Sequence, residues 1–134
     1  MKKLNELLSL ETMLCLLTSA LEGGSNYWYY LPDLSMLPDK DYTSTSPEIE
    51  DYLKNCLVSR MWEAIRKGET IPIHDIEDEN EKIGEINIES INKGVDLMLK
   101  EYADHFADAV GGNDDAITGD IFFQLSVLGD IVYC

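Results

Sequence analysis

Bases are scarce in this 134-residue chain: 10 lysines and arginines stand against 26 aspartates and glutamates, for a formal net charge of −16. The shortage is concentrated in the second half, where residues 68–134 hold 16 acids and 3 bases, against 10 and 7 in residues 1–67. Such a field repels phosphate backbones and anionic membranes, which excludes direct nucleic-acid backbone binding. It favours basic surfaces, including those that normally hold DNA or RNA, and it also keeps a small domain in solution. Cysteine is equally sparse. Cys15, Cys56 and Cys134 form an odd, widely spaced set without a C-x-x-C pair, so no secretory disulfide framework is expected and a reducing cytoplasm fits best. Long apolar runs are missing too. Asn5, Glu6, Ser9, Glu11 and Thr12 interrupt the Leu-rich start before it reaches the length of a signal-peptide core, and no stretch approaches the ~20 apolar residues of a membrane span.

The motifs of common enzymes and metal sites are absent. There is no G-x-S-x-G elbow, no phosphate-binding glycine loop and no H-E-x-x-H. An EF-hand loop starting at Asp75 or Asp78 would place Asn80 or Ile83 where glycine is required. His74 and His105 are single histidines, neither with a second histidine at i+3 or i+4, and His105, between Asp104 and Asp108, reads as solvated. The expectation is a protein with no metal and no cofactor that is not an enzyme. Were it an enzyme, Glu22 with Asp120 is a candidate carboxylate pair for acid/base work.

What is present describes one domain over residues 1–134, because 45% hydrophobic residues supply a core at this length. Leu7, Leu10, Met13, Leu14, Leu17 and Leu21 predict a helix within 4–22, with Ser9 as a cap if it begins late and Gly23-Gly24 as its stop. Tyr27-Trp28-Tyr29-Tyr30 has the residue types of a strand, with Pro32, Pro38 and Thr43-Ser44-Thr45-Ser46 forming a loop after it. Ser46-Pro47-Glu48 reads as the start of a helix that runs through Ile49, Leu53, Cys56, Leu57, Met61 and Ile65 to Gly68, with Cys56 as core filler. Residues 69–76 and 82–88 form a hairpin in which Pro72 argues for an edge strand. Its tip, with Asp75, Glu77, Asp78, Glu79 and Glu81, is an exposed acidic surface. A helix over 89–110 and another after Asn113 or Asp114, with Ile117, Ile121, Leu125 and Leu128 inward, complete the chain, and Ile131-Val132-Tyr133 is a candidate strand. The fold class is therefore α+β, about four helices packed on a small, mainly antiparallel sheet.

The last helix also places Asp115, Gly119, Asp120 and Gln124 near one face. A Gln between Phe123 and Leu125 requires hydrogen-bond partners. If the segment from Glu22 through Tyr27, Trp28 and Tyr30 lies against that face, aromatic rings and polar groups converge in a cleft suited to a base or a peptide, unless the polar groups satisfy one another internally. Exposed Tyr and Leu near residues 27–37 leave a homodimer open.

Taken together, Glu22-Gly23-Gly24-Ser25-Asn26-Tyr27-Trp28, the Asp120-x-x-x-Gln124 helix and the Ile131-Val132-Tyr133 tail resemble small acidic proteins of bacteriophages and mobile elements. That group carries an E-G-G-x-x-Y-W segment, an Asp-x-x-x-Gln helix and an F-G-x-I-V-Y-G-like tail. Leu128 and Cys134 depart from the tail pattern, and residues 32–110 lie outside the resemblance. The resemblance implies a setting, the cytoplasm of a bacterial host, and by analogy an accessory role in blunting host immunity. Two mechanisms suit it: the acidic surface blocks a host defence protein, or the cleft sequesters an immune signalling nucleotide, which would need Arg60, Arg66 and Lys67 at its lining. A small enzyme is a third reading.

Overall fold

The computed structural model describes residues 3–39, 42, 49, 56–113 and 115–134. The fold is α+β, with five α-helices among the described residues and a three-stranded antiparallel sheet. Its centre is a helix, α5 (Ala116–Leu128), which packs on α1 (Leu10–Ser19), α3 (Ile88–Glu101), α4 (Ala103–Val110) and β3 (Lys82–Ile86). Because neighbours surround α5, burial does not follow one stripe: Phe122, Phe123, Leu125 and Val127 are buried together with Thr118, Gln124 and Ser126. The expected inward set is corrected accordingly. Leu125 is buried, but Ile121 and Leu128 are only partly covered and Ile117 is 64% exposed.

Two glycines permit this enclosure. A Cβ on Gly119 would lie 2.7 Å from Ser19 Cβ and 2.9 Å from the Leu16 carbonyl oxygen, so α5 approaches α1 at backbone distance. A Cβ on Gly94 of α3 would collide with Ser126 on the opposite side of α5. Ser126 Oγ, buried at that crossing, has no hydrogen-bond partner among the described residues.

The N-terminal helix begins late, as Ser9 allowed: its side chain accepts from the Thr12 amide and α1 starts at Leu10. Gly23-Gly24 does not stop the helix abruptly. The chain widens into a π-helical turn, Ala20–Gly24, in which a Cβ on Gly24 would collide with the Ala116 carbonyl. The expected helix start at residues 46–48 and the contribution of Leu53 lie outside the described residues. Helix α2 (Leu57–Arg66) begins only at Leu57, because Cys56 is extended (φ −88°, ψ 167°), which corrects a continuous helix through Cys56. The expected helix over 89–110 is likewise two. Tyr102 leaves helical geometry (φ −133°, ψ 48°), and the bend directs α4 against α5, where His105 Nδ1 lies 3.1 Å from the Thr118 hydroxyl. His105 is thus partly buried and hydrogen-bonded, not solvated.

The sheet order is β1-β2-β3, with β1 (Tyr29–Tyr30) pairing only the end of β2 (Ile71–Asp75). Pro72 therefore lies in the middle strand, contrary to the edge expectation. It is tolerated because β1 pairs only Asp75 and His74, so at Pro72 the one partner is β3. Residues 131–134 form no strand. No helix among the described residues is long and apolar enough to cross a membrane.

Candidate functional site

The π-turn and the residues after it lie against the first half of α5, and this brings the two ends of the chain together. Asp120 projects from α5 towards the turn and accepts four hydrogen bonds. Ser25 Oγ (2.7 Å) and Trp28 Nε1 (2.8 Å) donate to Oδ1, and Tyr27 Oη (2.6 Å) and Gln124 Nε2 (3.1 Å) donate to Oδ2. Each donor has the geometry a carboxylate can use, so the capacity of both oxygens is well occupied.

One turn on, Gln124 clamps the chain that follows α5. Gly129 adopts a left-handed conformation (φ 77°) and ends the helix. The tail then folds back, so that the Val132 and Tyr133 amides both donate to Gln124 Oε1 at 2.9 Å, while Nε2 donates to the Tyr133 carbonyl at 3.0 Å. Tyr133 in turn stacks its ring on Trp28, with centroids 5.4 Å apart and planes 9° from parallel. Trp28 also contacts Phe123 at 5.3 Å and is 1% exposed. Trp28 is therefore a core group, and its faces are covered rather than offered to a base.

Of the residues singled out from sequence, Tyr27, Trp28, Asp120 and Gln124 meet in this cluster. Glu22 is exposed and makes no part of it, Tyr30 pairs with His74 in the sheet, and Asp115 caps α5 by accepting from the Thr118 amide at 2.9 Å. That hydrogen bond holds the Asp115 carboxyl below its ordinary value. Ser25 and Tyr133 were missed. The signal for Tyr133 lies in hydrogen-bond accounting: a buried amide after which a glycine reverses the chain needs backbone partners, and the returning tail supplies them.

Outside the cluster lies an open cleft of about 620 Å³. Ile117, Ile121, Ile131, Tyr27, Tyr133 and Cys134 form much of its wall, with Gly23-Gly24 at one end. Its surface is predominantly apolar, and among the described residues no lysine or arginine lines it. Arg60, Arg66 and Lys67 lie elsewhere: Arg60 Nε donates to the Pro38 carbonyl, and Arg66 and Lys67 hold Glu63 at 2.6 and 3.3 Å. Burial, reinforced by the hydrogen bond to Asp120, pushes the Tyr27 hydroxyl up to about 12.

The acidic hairpin tip adjoins this region. The Ile76 amide donates to the Trp28 carbonyl (3.0 Å), which ties the base of the tip to the residue on which Tyr133 stacks. Burial raises the Tyr133 hydroxyl above its ordinary value, and the carboxylates of Asp75, Glu81 and Glu77 add to the effect. The tip itself is internally braced. Asp75 N donates to Glu81 O, Asp78 N to Asp75 O and Glu81 N to Asp78 O, while the Asp75 and Asp78 side chains accept from the Glu77 and Asn80 amides. His74 Nδ1 contacts Glu79 O at 2.7 Å. Glu77, Asp78, Glu79 and Glu81 are exposed and Asp75 is partly covered. No grouping of three or more His, Cys, Asp or Glu suited to a metal ion occurs among the described residues.

Fold and site together define an α+β domain in which an apolar cleft and an internally hydrogen-bonded acidic hairpin share one region, and in which the most conspicuous polar side chains bond to one another. No protein-family model, curated protein or solved structure matches the chain.

Proposed function

We propose that this protein is a bacteriophage accessory factor that binds and blocks a basic surface of a host defence protein through its acidic hairpin. The observation that carries the reading is the braced tip. Glu77, Asp78, Glu79 and Glu81 project from a turn held by its own backbone hydrogen bonds, so little conformational freedom is lost when a cationic partner docks. Within residues 75–89 seven acids face the single base Lys82, which gives the tip a field that steers such a partner and weakens with salt. The phage setting rests on the resemblance of the Glu22–Trp28, Asp120–Gln124 and Ile131–Tyr133 segments to proteins of phages and mobile elements.

Capture of a nucleotide has less support. Among the described residues no lysine or arginine lines the cleft, Asp120 adds a carboxylate to its wall, and Trp28 is enclosed. Catalysis by Glu22 with Asp120 lacks the required geometry, because Glu22 is not a lining residue and the Asp120 oxygens are engaged by four donors.

The test is a binding titration against purified nucleic-acid-handling defence proteins across ionic strength, with duplex DNA as competitor, alongside thermal-shift assays with cyclic and ADP-ribose-type nucleotides. Salt-weakened binding that excludes DNA, with no nucleotide stabilisation, supports the reading. A nucleotide that raises the melting temperature, with no protein partner bound, overturns it in favour of sequestration.

A further inference from the structure

The cleft is a second contact point for the same partner. We propose that it receives a bulky apolar side chain from a segment of another protein in which that side chain is flanked by lysine or arginine. The inference rests on the reading above and specifies the chemistry of the segment recognised.

Three observations carry it. First, the wall offers uncovered apolar surface: Ile117 is 64% exposed on the first turn of α5 and Tyr27 is 46% exposed, and Ile121 and Ile131 of the same wall are partly buried against the core. A cleft of about 620 Å³ has room for one or two large side chains. Secondly, its polar groups do not call for a ligand of their own. Asp120 and Gln124 are engaged with Ser25, Tyr27, Trp28 and the tail, so what the open space lacks is apolar contact. Thirdly, the rim is acidic. Glu22, Asp115 and Asp130 are exposed and each is the chain neighbour of a lining residue, and the hairpin with Glu77 and Glu81 joins through Ile76, Trp28 and Tyr133.

An apolar floor with exposed carboxylates next to its lining residues is complementary to an apolar anchor between cations. The same charge opposes the other occupants. A second copy would bring two acidic rims together in a chain of net charge −16, and an anionic ligand would meet the same field.

The probe is a fluorescein-labelled synthetic peptide with one Trp between pairs of lysines, titrated into the full chain and followed by anisotropy. Companion peptides replace Trp by Phe, Leu or Ser, or lysine by glutamate. We expect binding of the lysine-flanked apolar anchors, loss with the Ser anchor or the glutamate flanks, and about tenfold weakening by Ile117→Gln, the effect of removing one well-buried contact at an interface centre. Ile117 is exposed, so this change leaves folding intact, which a melting curve verifies. The combined Glu77→Gln, Glu79→Gln, Glu81→Gln variant should also weaken binding and flatten its salt dependence. If the triple variant weakens binding while the Ser-anchor peptide and Ile117→Gln match the originals, the acidic-surface reading stands and the anchor site falls. If the triple variant binds as wild type with no salt dependence, the acidic-surface reading falls. Absence of binding by every lysine-flanked peptide, or a dimer in sedimentation that Ile117→Gln dissociates, overturns the anchor site.

Discussion

Replacing Asp120 by Asn keeps the size of the side chain and removes its charge and one of its two acceptor atoms. In the native cluster Oδ1 receives Ser25 and Trp28 Nε1, and Oδ2 receives Tyr27 and Gln124 Nε2. An amide satisfies only half of this. With its oxygen facing Ser25 and Trp28, its NH₂ faces Gln124 Nε2, which is also a donor, and the Tyr27 hydroxyl must turn from donor to acceptor. Flipping the amide transfers the conflict to Trp28 Nε1, which can only donate. Either way two charge-assisted hydrogen bonds are weakened and one or two are lost, and at roughly 1.5–3 kcal/mol for each bond to a charged group the cost is about 3 kcal/mol. At this chain length that lowers the melting temperature by about 10 °C. Urea denaturation monitored by far-UV circular dichroism at neutral pH measures it. Asp120→Asn stability within about 0.5 kcal/mol of wild type would refute the claim that this carboxylate holds the chain ends together.

Gln124→Leu preserves bulk but removes the acceptor of the Val132 and Tyr133 amides, so their hydrogen exchange should accelerate at least tenfold while amides within α3 remain protected; unchanged tail exchange contradicts the clamp. Gly119→Ala should destabilise by about 2 kcal/mol, because the added methyl meets the Leu16 carbonyl and Ser19 rather than a yielding side-chain end; a neutral effect in denaturant contradicts the close crossing. The Tyr27 and Tyr29 hydroxyls, both pushed up to about 12 principally by burial, retain their protons in the folded state above the ordinary value of 10.0. Their contribution is therefore full below about pH 10 and is lost as pH rises through about 12, a window in which the urea midpoint should fall, and fall less in Tyr27→Phe; a flat midpoint there contradicts the assignment.

Much of this architecture is legible from spacing. Ser9 caps α1, the Ile71/Ile73 alternation marks β2, and the Gly129 stop ends α5 in the left-handed conformation that favours glycine. Periodicity failed where tertiary packing overrides one-sided burial. α5 is enclosed by several elements, so Ile117 faces solvent while Gln124 and Thr118 are interior. The break at Tyr102 carries neither glycine nor proline, and it accompanies the docking of α4 on α5 through partners such as Thr118, which no local pattern encodes. The cluster was half legible. Tyr27, Trp28, Asp120 and Gln124 stood out as polar or aromatic groups needing partners, but that they would take one another, with Ser25 and the tail backbone, depends on a fold-back made after Gly129. The Glu22–Trp28, Asp120–Gln124 and Ile131–Tyr133 segments thus supply most of the hydrogen-bonded cluster, while the surface proposed to act lies in the hairpin outside it.

The most direct test of the central claim is a phage challenge in bacterial strains that each carry one defence system, with the protein expressed as wild type or with Glu77→Gln, Glu79→Gln and Glu81→Gln combined. These changes leave the backbone hydrogen bonds of the tip in place. Wild type should restore plaque formation against at least one system, and the neutralised variant should lose that effect while remaining folded. Restoration by the variant equal to wild type, or none by wild type against any system, would contradict the claim.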